Sequence, residues 1–137
     1  GVAGLGSPFW NPDFESRFVG DGSELQQCRA VLESVAFLIK ANLDEMDRHL
    51  GGANRLIASG GLAENRLLCR MLACLADAPV DRASDREATS RGLAFLVAGE
   101  PAGFKGLAMQ RLEPEPDQGL LARYLKWIEL MRAAAGD

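Results

Sequence analysis

The 137-residue sequence has little histidine and cysteine, and each scarcity excludes a kind of site. Its only histidine, His49, falls at the predicted end of a helix beside acidic residues, where a solvated cation is expected rather than a catalytic base. The three cysteines, Cys28, Cys69 and Cys74, match neither a CxxC redox pair nor the spacing of zinc ligands. We expect them to be small apolar core residues in a reducing cytoplasm, and we assign no metal ligand.

Long basic and long apolar runs are also missing. A net charge of −4 without a Lys/Arg cluster argues against binding to nucleic acid. No apolar run approaches the roughly 18 residues that a membrane span needs. The chain starts at Gly1 without the charged and apolar regions of a signal peptide, so we expect a cytoplasmic protein with no membrane partner. The composition, 47% apolar and 25% charged, suits a single globular domain over residues 1–137.

Helical spacing of apolar residues dominates what is present. Residues 1–22 are turn-rich and aromatic, with a candidate strand at 17–19. A long helix is predicted over 23–50, with Ser23 as its N-cap and a Gly-Gly pair as its stop. Its predicted core stripe consists of Leu25, Cys28, Leu32, Val35, Ile39, Leu43, Met46 and Leu50.

Strand–helix units are predicted over residues 55–99, followed by a loop and a final helix over 117–135. The units are a buried strand, a helix, a second strand and a second helix, at 56–58, about 63–76, 79–81 and 84–99. Ser84 and Glu87 have capping-box spacing at the start of the last of these. This alternation predicts an α/β fold that is rich in helices and has few strands. So few strands suggest part of a larger sheet-containing domain.

The segment RLIASGGLAEN, residues 55–65, carries the most chemical information. It reads as a strand, a two-glycine turn, and a helix with Asn65 one turn in. Gly60 and Gly61 would let a ligand approach the backbone without a Cβ in the way, above the free N–H groups of a helix start. Many α/β proteins turn through glycine for steric reasons alone. The pattern by itself therefore leaves a nucleotide site and an ordinary turn both open.

Four segments, in order, resemble the C-terminal portion of FGGY-type carbohydrate kinases, nearest the glycerol kinase branch. GLGSPFWNP at 4–12 is similar to that branch's G-L-G-A-P-Y-W-D-P loop. RAVLESVA at 29–36 resembles R-A-x-L-E-S/G-I/V-A on its long helix. SGGLAEN at 59–65 is similar to D/S-G-G-x-x-x-N, and EATSRGLA at 87–94 resembles E-x-T-A-L-G-A-A. The order and compatible spacing identify the chain as a member of this family.

The resemblance implies an actin-like ATPase (ribonuclease H-like) fold, of which this chain would be the nucleotide-side half-domain. ATP or ADP would pass beside the backbone of Gly60 and Gly61, and Asn65 would reach the adenine region. Mg²⁺ and the sugar or polyol substrate would be held by the family's more N-terminal parts. The carboxylate base lies there too, so no catalytic residue is assigned to this chain.

Several alternatives stay open at this stage. FES at 14–16 stands where the family has A-R-G, and FVGDG at 18–22 where it has F-x-G-L-T, so the resemblance does not assign glycerol as the substrate. The Phe9-Trp10 pair would line the cleft or plug it, and Glu33 is expected to be a satisfied or solvated carboxylate. Acidic residues at 44–47 predict a wet helix face. A non-catalytic binding or oligomerisation module, including a homodimer, is the alternative function.

Overall fold

A computed structural model of the chain describes residues 6–83 and 87–136. The described residues form four α-helices, one 3₁₀ turn and three strands. In chain order these are α1 (Glu24–Leu50), β1 (Leu56–Ala58), the 3₁₀ turn (Gly61–Glu64), α2 (Arg66–Ala76), β2 (Val80–Ala83), α3 (Ala88–Ala98), β3 (Met109–Leu112) and α4 (Gln118–Ala135).

The strands form one mixed sheet in the order β1-β2-β3. β1 pairs in parallel with β2, with Leu56 opposite Val80, and β3 pairs antiparallel on the other side, with Leu112 opposite Val80. Because parallel neighbours need a crossover, the chain between β1 and β2 forms α2, which packs on the sheet. This βαβ unit places the turn after β1 at the carboxyl ends of two parallel strands.

Helix α1 has the predicted length. Ser23 Oγ accepts a hydrogen bond from the Gln26 backbone N–H, and Gln26 Oε1 accepts one from the Ser23 N–H at 2.8 Å, which completes a capping box. The helix ends where Gly51, at φ +80°, donates its N–H to the Asp47 carbonyl at 3.1 Å. The predicted helix over 23–50 is therefore confirmed.

The predicted core stripe of α1 is wrong at its ends. Leu25 is 81% exposed, Leu50 is also exposed, and Cys28 lies on the surface rather than in the core. A helix of 27 residues is about 40 Å long, and α2 and α4 cover only its middle. The residues of α1 that are buried there are Glu33, Ala36, Phe37 and Ala41.

Helix α2 lies at the centre of the core, between the sheet and the pair α1 and α4. Its buried residues include Leu68, Cys69 and Leu72, and Leu120 of α4 packs into the same cluster. Each such buried aliphatic side chain stabilises the fold by about 1.5–3 kcal/mol relative to exposure. The sheet and three helices thus share one core, on one face of the sheet.

An aromatic cluster ties the N-terminal segment to this core. Phe37 lies 5.5 Å from Tyr124 and 5.8 Å from Trp127, measured between ring centroids. Phe9 contacts Trp127 edge to face, with 5.9 Å between the ring centroids. Of the two roles considered for the Phe9-Trp10 pair, lining the cleft or acting as a hydrophobic plug, Phe9 therefore has the second. Trp10 points away from the core and is 74% exposed.

Five further predictions about elements need correction. Residues 17–19 form no strand. β1 is not fully buried, because Ile57 on the sheet's outer face is 59% exposed. α2 begins at Arg66 rather than near Ala63, since a 3₁₀ turn precedes it. β3 falls within the segment predicted as a loop, and Pro79 lies just before β2 rather than inside it. The predicted capping box at Ser84 lies outside the described residues.

Candidate functional site

The segment at residues 59–65, here called the glycine corner, leaves β1 and enters α2. It lies at the carboxyl end of β1, beside the carboxyl end of the parallel strand β2. In open α/β sheets, ligands bind outside the carboxyl ends of the strands, where turns present backbone groups to the solvent. The topology therefore puts the predicted site residues in a position where such folds take ligands.

Residues 60 and 61 are suited to glycine for different reasons. Gly60 has φ +84° and ψ −178°, a conformation that side-chain-bearing residues avoid. Gly61 has no such positive φ, and a Cβ built at either residue would meet no heavy atom within 4 Å. The structure thus needs glycine at residue 60 for its backbone angle. At residue 61 the absent side chain only leaves the backbone open to approach from outside.

Asn65 is the N-cap of α2 rather than a residue inside a helix. Its Oδ1 accepts a hydrogen bond from the Leu68 backbone N–H at 3.1 Å, which satisfies a donor of the first helical turn. The residue is half-buried, and its Nδ2 has no hydrogen-bond partner among the residues that the structure describes. The amide oxygen therefore serves the helix cap, and the two amide donors have no partner within the described part of the chain.

One internal hydrogen bond and two from neighbouring side chains hold the glycine corner in place. Ala63 is buried, its N–H donates to the Gly60 carbonyl at 3.1 Å, and its own carbonyl accepts from the Cys69 thiol at 3.4 Å. Burial raises the pKa of the Cys69 thiol and outweighs the opposing charge of Arg82, which keeps the sulfur protonated as a donor. Arg82 Nη1 donates to the Glu64 carbonyl at 3.1 Å.

Glu33 is a buried carboxylate whose two oxygens accept hydrogen bonds from arginine side chains. Of the two states expected for it, satisfied or solvated, the structure shows the satisfied one. Arg29 donates to it at 2.8 Å from one turn away, and Arg123 of α4 donates twice, both at 2.8 Å. Burial opposes ionisation of Glu33, but the hydrogen bonds and charges of Arg123 and Arg29 together outweigh burial and lower the pKa of the carboxyl. Glu33 therefore joins α1 to α4 and has a structural role.

The prediction that the acidic residues at 44–47 form a solvated helix face is wrong for Asp44, whose carboxylate has partners within the fold. Its carboxylate accepts from the Tyr124 hydroxyl at 2.5 Å and forms an ion pair with Lys40. Burial and the Asp44 carboxylate raise the pKa of the Tyr124 phenol, so it stays a donor. His49 is exposed at the end of α1, with Nε2 3.5 Å from the Glu45 carboxylate, as expected of a solvated helix end.

Sequence reasoning missed one groove of about 440 Å³, where α2 meets the start of α4. Its lining carries charges of both signs that pair with one another: Arg70 lies 3.6 Å from Glu115, and Arg29 lies 3.9 Å from Asp117.

Within residues 6–83 and 87–136, no group of three or more His, Cys, Asp or Glu side chains is placed to hold a metal ion. No helix in the same ranges is long and apolar enough to cross a membrane.

Comparison with known proteins connects this geometry to a family. The model of the C-terminal domain of the FGGY family of carbohydrate kinases matches residues 2–99, a range that includes the glycine corner. A glycerol kinase from Alkalilimnicola ehrlichii is 42% identical over 70% of this chain and 20% of its own length. One from Cereibacter sphaeroides is 33% identical, with 95% of this chain and 29% of the relative aligned.

The fold agrees with the same grouping. A ligand-bound xylulose kinase from Lactobacillus acidophilus superposes with a TM-score of 0.66 at 17% identity, over 95% of this chain and 29% of that one. The predicted helix-rich α/β, actin-like ATPase fold is confirmed by this match. The chain spans about a fifth to three tenths of the length of the curated relatives it matches. The chain belongs to the FGGY family of carbohydrate kinases and matches its C-terminal domain.

Proposed function

We propose that this chain is the nucleotide-side half-domain of an ATP-dependent carbohydrate kinase, which transfers a phosphoryl group to a hydroxyl of a sugar or polyol. The observation that carries this proposal is that the family match over residues 2–99 includes a glycine corner with open backbone at the carboxyl end of β1. ATP supplies the γ-phosphoryl group when bound. The described residues of this chain contribute binding and orientation.

Gly60, Gly61 and Asn65 have separate roles in this proposal. Gly60 sets the backbone turn, Gly61 leaves the space in which ATP or ADP lies against the main chain, and Asn65 Nδ2 donates to an acceptor on the adenine. Because Oδ1 already caps α2, we assign the contact with adenine to the amide donors of Asn65. A purine edge offers ring nitrogens as acceptors, so one amide donor suffices for a contact.

The remaining parts of the reaction belong to the rest of a full-length kinase. Phosphoryl transfer needs a base for the attacking hydroxyl and cations that neutralise phosphate charge. We assign Mg²⁺, the base and the sugar or polyol to that remainder, because the described residues hold no cluster of metal-ligating side chains. The three cysteines are free thiols, and we place the activity in the cytoplasm.

Exposed apolar residues on α3 support the assignment to a larger protein. Leu93, Leu96 and Val97 are all exposed, Leu96 by 86%, and α3 has no buried residue. We infer that this face packs against the remainder of the kinase. The same exposure favours one alternative, a module that dimerises through α3. Sedimentation of the isolated chain as a dimer that Leu96→Glu dissociates would support the alternative.

The kinase assignment is tested by calorimetric titration of the chain with ATP, comparing two valine variants. Gly61→Val places a β-branched side chain in the proposed approach path, although it meets no protein atom. Gly52→Val is the matched control, because Gly52 is equally open, has no positive φ and lies before the opposite end of β1. We expect weak binding that only Gly61→Val abolishes. Equal binding by all three proteins would overturn the role of the glycine corner.

A further inference from the structure

Arg82 lies at the carboxyl end of β2, directly across from the end of β1. Its Cα partner in β1 is Ala58, the residue immediately before the glycine corner. Because side chains two apart share a face of a strand, Arg82 lies on the same face as the fully buried Val80, which is the face covered by α2. From there Nη1 reaches the Glu64 carbonyl at 3.1 Å.

This contact joins strand β2 to the 3₁₀ turn of the glycine corner, which has few hydrogen bonds of its own. The 3₁₀ turn at Gly61–Glu64 has only four residues, and short turns of this kind have poor hydrogen-bond geometry. Its internal bonds run from the Ala63 N–H to the Gly60 carbonyl and from the Asn65 N–H to the Leu62 carbonyl, both at 3.1 Å. The turn therefore depends on outside contacts to keep one conformation.

Within the described part of the chain, two side chains outside the turn donate hydrogen bonds to it, at the neighbouring carbonyls of Ala63 and Glu64. The Cys69 thiol donates to the Ala63 carbonyl, a weak bond from within α2, the helix that the corner itself begins. The guanidinium of Arg82 makes a charge-assisted bond to the next carbonyl, and it comes from a separate element, the sheet. Arg82 thus fixes where the turn lies relative to β2, and with it the position of Asn65.

We propose that Arg82 is a positioning residue, which holds the 3₁₀ turn so that Gly61 and Asn65 meet the adenine nucleotide together. This inference rests on the proposed nucleotide role of the glycine corner. Arg82 does not itself need to touch the ligand. Its loss would allow the turn to move without removing any side chain of the site or of the core.

The experiment compares the chain with Arg82→Met, Arg82→Lys and Arg66→Met, in the absence and presence of ATP. Arg66→Met is the charge control: Arg66 is exposed and adjacent to the corner, and it has no ion pair or hydrogen bond through its side chain within residues 6–83 and 87–136. Arg82→Lys keeps the charge but replaces the planar guanidinium by a shorter-reaching ammonium. Thermal unfolding of each variant checks that it folds, and Arg82→Gln replaces Arg82→Met if the latter does not.

Without ATP, we expect amide hydrogen exchange at Ala63 and Asn65 to be about tenfold faster in Arg82→Met, and unchanged in Arg66→Met. With ATP, we expect the Kd to rise about tenfold in Arg82→Met and less in Arg82→Lys. Unchanged exchange at both amides would overturn the inference. The inference would also be overturned if Arg82→Met and Arg66→Met lost the same affinity for ATP and Arg82→Lys kept full affinity, because that pattern would report the positive charge alone.

The two arms separate this inference from the proposed function. If the unmodified chain binds no ATP, the proposed function of the corner fails, and the exchange arm still decides whether Arg82 holds the turn. If ATP binds and exchange is unaffected by Arg82→Met, the proposed function stands and the positioning role is wrong.

Discussion

Glu33 shows how one buried carboxylate can be stable within a small core. Its partners reach it from the same helix and from α4, and together they donate three hydrogen bonds. Because the folded state lowers the pKa of Glu33 below its unfolded value of about 4.3, the stabilisation is complete above that value. It is lost as the pH falls through the lower pKa of the folded state.

Glu33→Gln should therefore destabilise the chain in a pH-dependent way. We expect a loss of about 2 kcal/mol at pH 7, less than for a fully buried pair because both arginines are about half exposed. The loss should shrink at a pH below the lowered pKa of the folded state, where the native carboxyl is itself protonated. Urea denaturation at both pH values measures the difference.

Glu45→Gln serves as the control for this pH series. Glu45 lies on the same helix and pairs with Arg48, but its side chain is 44% exposed, against 6% for Glu33, so the change should cost less than about 0.5 kcal/mol. A loss in Glu33→Gln that is the same at both pH values would contradict the linkage to ionisation of Glu33.

Single residues also show the limit of sequence reasoning. The glycine pair and Asn65 could be selected from the pattern, and Glu33 could be expected to have partners. The sequence could not pair Glu33 with Arg123, since 90 positions separate them and only the packing of α4 on α1 brings them together. Nor could it show that the helix uses Oδ1 of Asn65, because that depends on where α2 begins.

The start of α2 separates the structural and the proposed binding roles of Asn65. Asn65→Ala removes the N-cap and should cost about 1 kcal/mol of unfolding free energy, whereas Asn65→Ser keeps a capping oxygen and should cost little. Both lack the amide donors, so both should weaken ATP binding about tenfold. Urea denaturation and calorimetric titration of the two variants give the two quantities independently. Full ATP affinity in Asn65→Ser would contradict the donor role.

Elements with strong local features were predictable, and those defined by their neighbours were not. α1 and α4 have caps and sustained periodicity, so their bounds followed from the sequence. β3 has only Leu112 buried and no β-branched residue, and it exists because β2 offers it an antiparallel partner. The exposure of Leu25 and Ile57 likewise depends on which surfaces other elements happen to cover.

The chain as a whole should bind a nucleotide without performing phosphoryl transfer. Its described residues include the corner that we propose for ATP but no cluster of metal-ligating side chains. A base and an oriented substrate lower the barrier to phosphoryl transfer by many kcal/mol. We expect no ADP release above background when the chain is mixed with ATP, Mg²⁺ and glycerol or a pentose. A coupled assay measures this, and robust phosphorylation by residues 1–137 alone would contradict the account.

The fold of the whole molecule was predictable from the family resemblance more than from composition. Composition and periodicity indicated a helix-rich α/β chain with too few strands, and the ordered motifs supplied the actin-like ATPase fold that the structure matches. The exposed face of α3 had no such indication, because its exposure depends on which surfaces the other elements leave uncovered.

The central claim, that the glycine corner receives an adenine nucleotide, is tested most directly by an NMR titration of the ¹⁵N-labelled chain with ATP. Affinity should be weak, because this chain offers few contacts to offset the ordering cost of binding. We predict that the amide signals of Gly60 and Gly61 and the side-chain amide of Asn65 shift more than any other cluster, and that ADP reproduces the pattern. Saturating ATP with no shift at these residues, or with its largest shifts elsewhere, would contradict the account.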